Sequence, residues 1–289
     1  MDQTLLMLLA SIMGLGLLGI FFGSTLAFAS KKFAVKVDPK VEAVTEVLCG
    51  ANCGACGFPG CSAFAEAVVI GKAPIDGCIP GGSECAQKIA GILGQEVGAD
   101  TEESVAVVQC QGGNKEASER FQYQGIQDCN AAVLIAEGSK GCIYGCLGLG
   151  SCVAACPFDA MRMNDNGLPE VLEDKCTACG ICVQTCPRDI MAIIPKKQKI
   201  YLGCKSQDRG KKVKQVCKVG CTGCTLCANP KVTPSGSIEM RGFLPEIINI
   251  NADDLETALE KCPTKSYVKR SGDPVKITKL EKQVETENN

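Results

Sequence analysis

Between Lys140 and Pro187 the chain reads KGCIYGCLGLGSCVAACPFDAMRMNDNGLPEVLEDKCTACGICVQTCP, eight cysteines in two clumps, each closed by Cys-Pro. The second clump is Cys176-x2-Cys179-x2-Cys182-x3-Cys186-Pro187. This spacing presents three thiolates to one face of a cubane cluster and sends the fourth, before proline, to a neighbouring cluster. Cys176, Cys179 and Cys182 are therefore expected to take their fourth ligand from Cys156. The mirror set is Cys142, Cys146 and Cys152, completed by Cys186. The small residues Thr177, Ala178 and Gly180 let backbone N–H groups approach the sulfides. Structural zinc is the competing occupant of Cys-x2-Cys pairs, but this run is more typical of iron–sulfur.

The remaining inventory narrows the chemistry. The 289 residues carry 22 cysteines and no histidine. That excludes His-ligated haem, Rieske centres and Ser-His or Cys-His catalytic pairs. The spacings are those of metal ligands rather than of a short secreted disulfide framework, so the cysteine-rich part is expected to face a reducing compartment. A net charge of −2 gives no argument for nucleic acid.

From Thr4 to Ser30 there is no charged residue, enough to span the ~20-residue hydrocarbon core. Ala27-Phe28-Ala29 resembles a cleavage site, but the apolar run is longer than a secretory h-region and lacks its basic start. Lys31, Lys32 and Lys36 follow, so the positive-inside rule predicts a single-span anchor with the rest of the chain in the cytoplasm. Gly19-x3-Gly23 and Ala10-x3-Gly14 are spacings that admit a close helix partner.

Next, roughly over 38–95, Cys53-x2-Cys56-x4-Cys61 sits in ANCGACGFPGCSAFAEAV, with Cys78 following. Gly54, Gly57 and Gly60 suit a tight chelating loop. Helices are expected after Cys61 and over Glu84–Leu93. Four cysteines in this pattern predict one [4Fe–4S] site; Cys49 and Cys85 remain unassigned.

A glycine-rich N-terminal membrane helix, the ANCGACGFPGCSAFAEA module and a ferredoxin-like pair together resemble the B subunit of the Rnf complex (the RnfB family), over nearly the whole chain. That family is the iron–sulfur subunit of a membrane-bound, ion-translocating ferredoxin:NAD+ oxidoreductase. The resemblance implies module ligands Cys53, Cys56, Cys61 and Cys78. It implies ferredoxin ligands Cys146, Cys152, Cys156, Cys176, Cys179, Cys182 and Cys186. It also implies partners: other subunits of the complex, in the membrane and NADH-linked, and soluble ferredoxin or flavodoxin as donor. The implied location is a bacterial cytoplasmic membrane. This chain departs from the family pattern at Leu149, which stands where a middle cysteine is expected. Cys142 is the substitute, with Cys129 or Cys110 as alternative fourth donors.

The stretch 96–139 reads as linker and prelude, with a short strand at Val105–Val108, an exposed GGNKEASERFQYQG and a helix start at Cys129. The two-cluster unit spans 140–200, and its Asn-Asp-Asn-Gly between Met163 and Leu168 signals a hairpin. A partial second repeat spans 201–270. In it Cys221-x2-Cys224-x2-Cys227 is regular, followed by a hairpin, a helix from Asp253 to Lys261 and Cys262-Pro263. That predicts one cluster on Cys221, Cys224, Cys227 and Cys262, or a decayed repeat without iron. Cys110, Cys129, Cys204 and Cys217 are left as a candidate further site for a cluster or zinc. A polar, disordered tail is expected at 271–289.

Lys196, Lys197, Lys199, Lys205, Arg209, Lys211, Lys212, Lys214 and Lys218 make the region between the repeats basic. It could steer an acidic ferredoxin or be a solvated loop touching anionic lipid. No dinucleotide fingerprint, P-loop or acid/base constellation is present. The expected fold is α+β: one transmembrane helix (1–30), a small helical cluster module (31–95), then ferredoxin-like units with short hairpins. Four [4Fe–4S] clusters are expected, three to five being compatible with the cysteines. The expected function is electron transfer from ferredoxin toward a membrane-proximal cluster. The alternatives are a membrane-anchored polyferredoxin of an unrelated reductase and a zinc-binding scaffold.

Overall fold

A computed structural model describes residues 3–33, 38–96 and 102–270. Lys36, most of the linker before Glu102 and the polar tail from 271 lie outside the described residues. Helix α1 (Gln3–Lys32) ends in Lys31 and Lys32. Its stretch Ile12–Lys32 is long and apolar enough to cross a membrane and buries nothing against the protein. Leu15, Phe21 and Leu26 all stand exposed. A helix apolar all round with no protein cover is matched to hydrocarbon rather than water.

The helical module follows. Asp38 caps α2 (Pro39–Val47) through its carboxylate, which accepts the Lys40 N–H at 2.9 Å, and Pro39 starts the helix where no N–H is needed. Val41 and Val44 of α2 pack on Phe64 and Val68 of α3 (Cys61–Val69) and on Ile89 of α4 (Gly82–Leu93). Phe64 and Ile89 are among the largest fully buried side chains, so this module has its own core. That core fixes both ends of the intervening cysteine loop: Cys61 opens α3, and Cys78 is buried just before α4.

The first ferredoxin-like unit begins earlier than its cysteines suggest. Strand β1 (Ser104–Val108) pairs antiparallel with β4 (Met191–Pro195), in register Val105 with Ile194 and Val107 with Ala192. Residues read as a linker strand thus supply one edge of the unit. Between them come α5 (Cys129–Val133), α6 (Ser151–Ala154), the hairpin β2 (Met161–Met163)–β3 (Pro169–Val171) and α7 (Ile181–Thr185).

The second unit repeats the plan. Strand β5 (Ile200–Leu202) pairs with β8 (Tyr267–Lys269), and β6 (Ile238–Arg241) forms a hairpin with β7 (Leu244–Ile247). Between them lie α8 (Lys211–Val216), a 3-10 turn (Leu226–Ala228) and α9 (Asp254–Lys261). The supposed half repeat is therefore closed by its own strand pair.

The units are fused. Val105 and Val107 share a core with Tyr201 and Val268. Arg270, largely buried on its side chain, donates to the Glu173 carboxylate and to the carbonyls of Lys196 and Gln198. Far along the chain, Ala117 bridges Cys217, Ser118 donates to the Val216 carbonyl at 2.9 Å, and Lys218 donates to the Glu116 carbonyl at 2.9 Å. The segment GGNKEASERFQYQG, read as an exposed loop or frayed helix, forms the first unit's side of this seam.

Candidate iron–sulfur sites

Three loops of one design carry the central cysteines. Cys146-Leu-Gly-Leu-Gly-Ser-Cys152, Cys176-Thr-Ala-Cys-Gly-Ile-Cys182 and Cys221-Thr-Gly-Cys-Thr-Leu-Cys227 align residue for residue. Gly148, Ala178 and Gly223 hold φ between 56 and 77°, and Gly150, Gly180 and Thr225 between 62 and 80°. Two left-handed residues in each loop curl the backbone so that the cysteines face one point, and the last of them starts a short helix. Ala178 and Thr225 adopt this conformation without being glycine, which costs about 1–2 kcal/mol each and marks how strongly the loop shape is held.

In the first loop Leu149 occupies the place of Cys179 and Cys224. The hollow over this loop is lined by Cys129, Cys146, Cys152 and Cys186. Cys142 does not line it; the structure brings Cys129, the alternative fourth donor, to Cys146, Cys152 and Cys186. The cause is a clamp. The Ser151 hydroxyl accepts the Cys129 N–H at 2.7 Å and donates to the Asp128 carboxylate at 2.9 Å, while Asp128 caps α5 at the Ala131 N–H. Cys142 is turned away by the tight turn in which the Gly145 N–H donates to its carbonyl. The hint in the sequence was Asp128-Cys129 as a helix start; that Ser151 would hold it had no sequence signal.

The remaining cysteines fall in separate groups. Cys156, Cys176 and Cys182 pack in one cluster of side chains with Cys152 and Cys186. A charge on Cys156 is felt at Cys179, and charges on Cys176 and Cys179 at Cys182. A third hollow is lined by Cys221, Cys224, Cys227 and Cys262. In the module, the Cys61 N–H donates to the Asn52 side chain at 2.8 Å, which shapes the loop from Cys53 through Cys56. Here Cys49 approaches Cys78. Cys85 donates its thiol to the Val47 carbonyl and acts as a core residue. The spare cysteines Cys110, Cys204 and Cys217 meet at yet another hollow, with Cys142 in place of the expected Cys129.

Burial sets the electrostatics. It pushes the thiols of Cys78, Cys146, Cys182 and Cys221 up to about 12 and those of Cys110 and Cys152 to about 11. Several neighbouring thiolates add to the effect by mutual repulsion. Such thiols ionise only for a cationic occupant. The thiols line hollows at Cys129–Cys186 and at Cys221–Cys262.

Buried donors also lie beside these cysteine groups. Among the described residues the buried side-chain polar atoms lacking a partner are Thr177 Oγ1, Arg188 Nε and Tyr267 Oη. Thr177 lies toward Cys179, Arg188 lines the Cys129–Cys186 hollow, and Tyr267 lies toward Cys227. A buried unpaired donor costs about 1–3 kcal/mol, and each of these three faces a different cysteine group. The sulfides of a bound cluster would accept all three, so the residues fit the [4Fe–4S] group.

Comparison with known proteins agrees. Residues 48–80 match a family described as "Putative Fe-S cluster", and 141–190 match a 4Fe-4S dicluster domain. The chain is 44% identical over 259 residues to the B subunit of an ion-translocating oxidoreductase complex of Methanosarcina acetivorans, covering 90% of this chain and 97% of that one. It is 44% identical over 218 residues to the B subunit of a Na+-translocating ferredoxin:NAD+ oxidoreductase complex of Acetobacterium woodii, covering 74% of this chain and 65% of that one. It is 42% identical over 249 residues to the B subunit of a proton-translocating ferredoxin:NAD+ oxidoreductase complex of Clostridium ljungdahlii, covering 86% and 87%.

Proposed function

Because this chain belongs to the family of B subunits of ion-translocating oxidoreductase complexes, we propose that it is the iron–sulfur electron-transfer subunit of a membrane-bound ferredoxin:NAD+ oxidoreductase. Reduced ferredoxin is the donor in this reading, and redox subunits in the membrane are the acceptors. The observation that carries it is the set of three loops of one design, each with two left-handed residues, that gather the central cysteines.

The proposed ligand sets are Cys53, Cys56, Cys61 and Cys78; Cys156, Cys176, Cys179 and Cys182; Cys129, Cys146, Cys152 and Cys186; and Cys221, Cys224, Cys227 and Cys262. Bound there, a [4Fe–4S] cluster supplies a one-electron couple that changes state with little movement. The chain's residues do the rest. Burial by Met191, Met161 and Ala106 keeps water from the paired sites. Thr177, Arg188 and Tyr267 donate toward the sulfides and so raise the tendency to accept an electron.

The order of sites follows from adjacency. In this reading the module, which follows the apolar helix α1 in the chain, exchanges electrons with the first ferredoxin site. A charge on Cys152 is felt at Cys182, linking the two paired sites. At the far end Cys224 is exposed in a groove with Arg209, Lys211 and Lys214. Lys196, Lys197 and Lys212 are engaged by Glu103, Glu102 and Asp208, whereas Lys211 and Lys214 make no salt bridge among the described residues. This basic rim beside an exposed ligand supports docking of an acidic ferredoxin there, with the module as the exit toward the membrane. Lys31 and Lys32 at the end of α1 support a cytoplasmic location for the cysteine-rich part.

The test is Cys61→Ala in the assembled complex. Ferredoxin-driven NAD+ reduction should fall to background while the complex still purifies whole; unchanged activity would overturn the reading.

A further inference from the structure

Building on the electron-transfer reading, we propose that Cys110, Cys142, Cys204 and Cys217 hold a further [4Fe–4S] cluster at the seam between the two ferredoxin-like units, bridging their electron paths. All four line one hollow, together with Cys146 of the neighbouring site.

The hollow is built for an anion-bearing occupant. The Cys110 sulfur accepts the Cys146 N–H at 3.4 Å, and the Cys204 sulfur accepts the Cys221 N–H at 3.2 Å. Converging amides of this kind stabilise thiolates and the negative charge of a cubane. Lys140, only 3% exposed, lines the same hollow; its ammonium is held by Asn114 at 2.9 Å and Glu119 at 3.5 Å. A Cβ on Gly112 would come within 3.0 Å of the Cys217 sulfur and 3.9 Å of the Cys110 sulfur, so only glycine leaves that wall clear.

Its origin is the repeat. The first unit supplies Cys110 after β1 and Cys142; the second supplies the equivalent Cys204 after β5 and Cys217 after α8. In each unit the next cysteine, Cys146 or Cys221, belongs to the neighbouring site. Its amide donates to a seam sulfur, Cys146 to Cys110 at 3.4 Å and Cys221 to Cys204 at 3.2 Å. One hydrogen bond therefore joins the seam to the site on either side. An electron from the Cys221–Cys262 site oxidises that site by one and reduces the seam by one. Its onward passage to the Cys129–Cys186 site returns the seam to its oxidised state, with no bond broken and no proton moved.

The experiment counts iron, acid-labile sulfide and zinc in the full chain purified anaerobically in detergent, wild type beside Cys204→Ser/Cys217→Ser. The expected result is about twenty iron per chain, four for each of five cubanes, falling by about four in the variant. About sixteen in the wild type overturns the proposal, as does about one zinc that disappears in the variant; both leave the four other sites and the electron-transfer reading standing. A chain without iron removes that reading itself. Should the variant fail to accumulate, the wild-type count alone decides.

Discussion

The Ser151 hydroxyl accepts the backbone N–H of Cys129 at 2.7 Å, and through this contact a cysteine remote from the Cys146–Cys156 loop becomes the fourth wall of its hollow. Leu149 cannot ligate iron, so the loop needs an outside thiol, and Ser151 is what delivers it.

Ser151→Ala leaves the Cys129 amide and the Asp128 carboxylate without their shared partner, a loss of about 1–3 kcal/mol locally. The expected outcome is a chain that still loads iron but surrenders about four iron per chain to a chelator faster than wild type. Chelator-release kinetics followed in the visible check it; identical kinetics contradict the clamp.

Cys129→Ser and Cys142→Ser should separate cleanly. The first disrupts the Cys146–Cys152–Cys186 site and abolishes the magnetic interaction between the paired sites of the first unit in electron paramagnetic resonance of the reduced chain. The second leaves that interaction intact. The opposite pattern would restore the grouping first expected from spacing.

These two cysteines show where the sequence stopped being legible. The loops themselves, the hairpin after Met163, the helix ending at Cys262-Pro263 and the two module helices after Cys61 were readable, because each is a local pattern of spacing, turn residues or periodicity; helix α2 was not among them. The choice between Cys129 and Cys142 depends on a hydrogen bond across 22 residues. The pairing of Cys142 with Cys217 depends on a bridge from Ala117 to Cys217. Strand β1 looked like linker for the same reason: its partner β4 is long-range, and nothing in Ser104–Val108 names it. The second unit read as half a ferredoxin because its cysteines are halved, although its strands are complete.

Gly148 has φ +77°, and a Cβ there would stand 2.8 Å from the Gly167 carbonyl oxygen; Gly180 has φ +80° but open space. Gly148→Ala therefore adds a backbone clash to the ~1–2 kcal/mol left-handed strain that Gly180→Ala incurs alone. The thermal unfolding midpoint of the loaded chain should fall further for Gly148→Ala. Equal falls would contradict the geometry.

Tyr267 is buried with its hydroxyl unpaired and facing the Cys227 group. Removing it as Tyr267→Phe takes away a donor beside the Cys227 sulfur. The reduction potential of the C-terminal site should move to more negative values, with iron content unchanged. An unmoved potential in a redox titration would show that the hydroxyl does not reach the cluster.

Lys211→Glu/Lys214→Glu reverses the rim of the groove at Cys224. Reduction by ferredoxin at low salt should slow by about tenfold or more, with a flattened salt dependence, because steering acts on encounter rather than on the bound state. Reduction by a small neutral donor should be unchanged. Stopped-flow bleaching checks both, and an unaltered ferredoxin rate would move the docking site elsewhere.

The central claim is that this chain is a row of electron carriers filled by ferredoxin. Its most direct test is an anaerobic titration of the full chain in detergent with reduced ferredoxin, followed by visible absorbance. The account predicts bleaching that consumes one electron per cluster, about four without the seam site and about five with it. A colourless, zinc-bearing chain that takes up no electrons would contradict it.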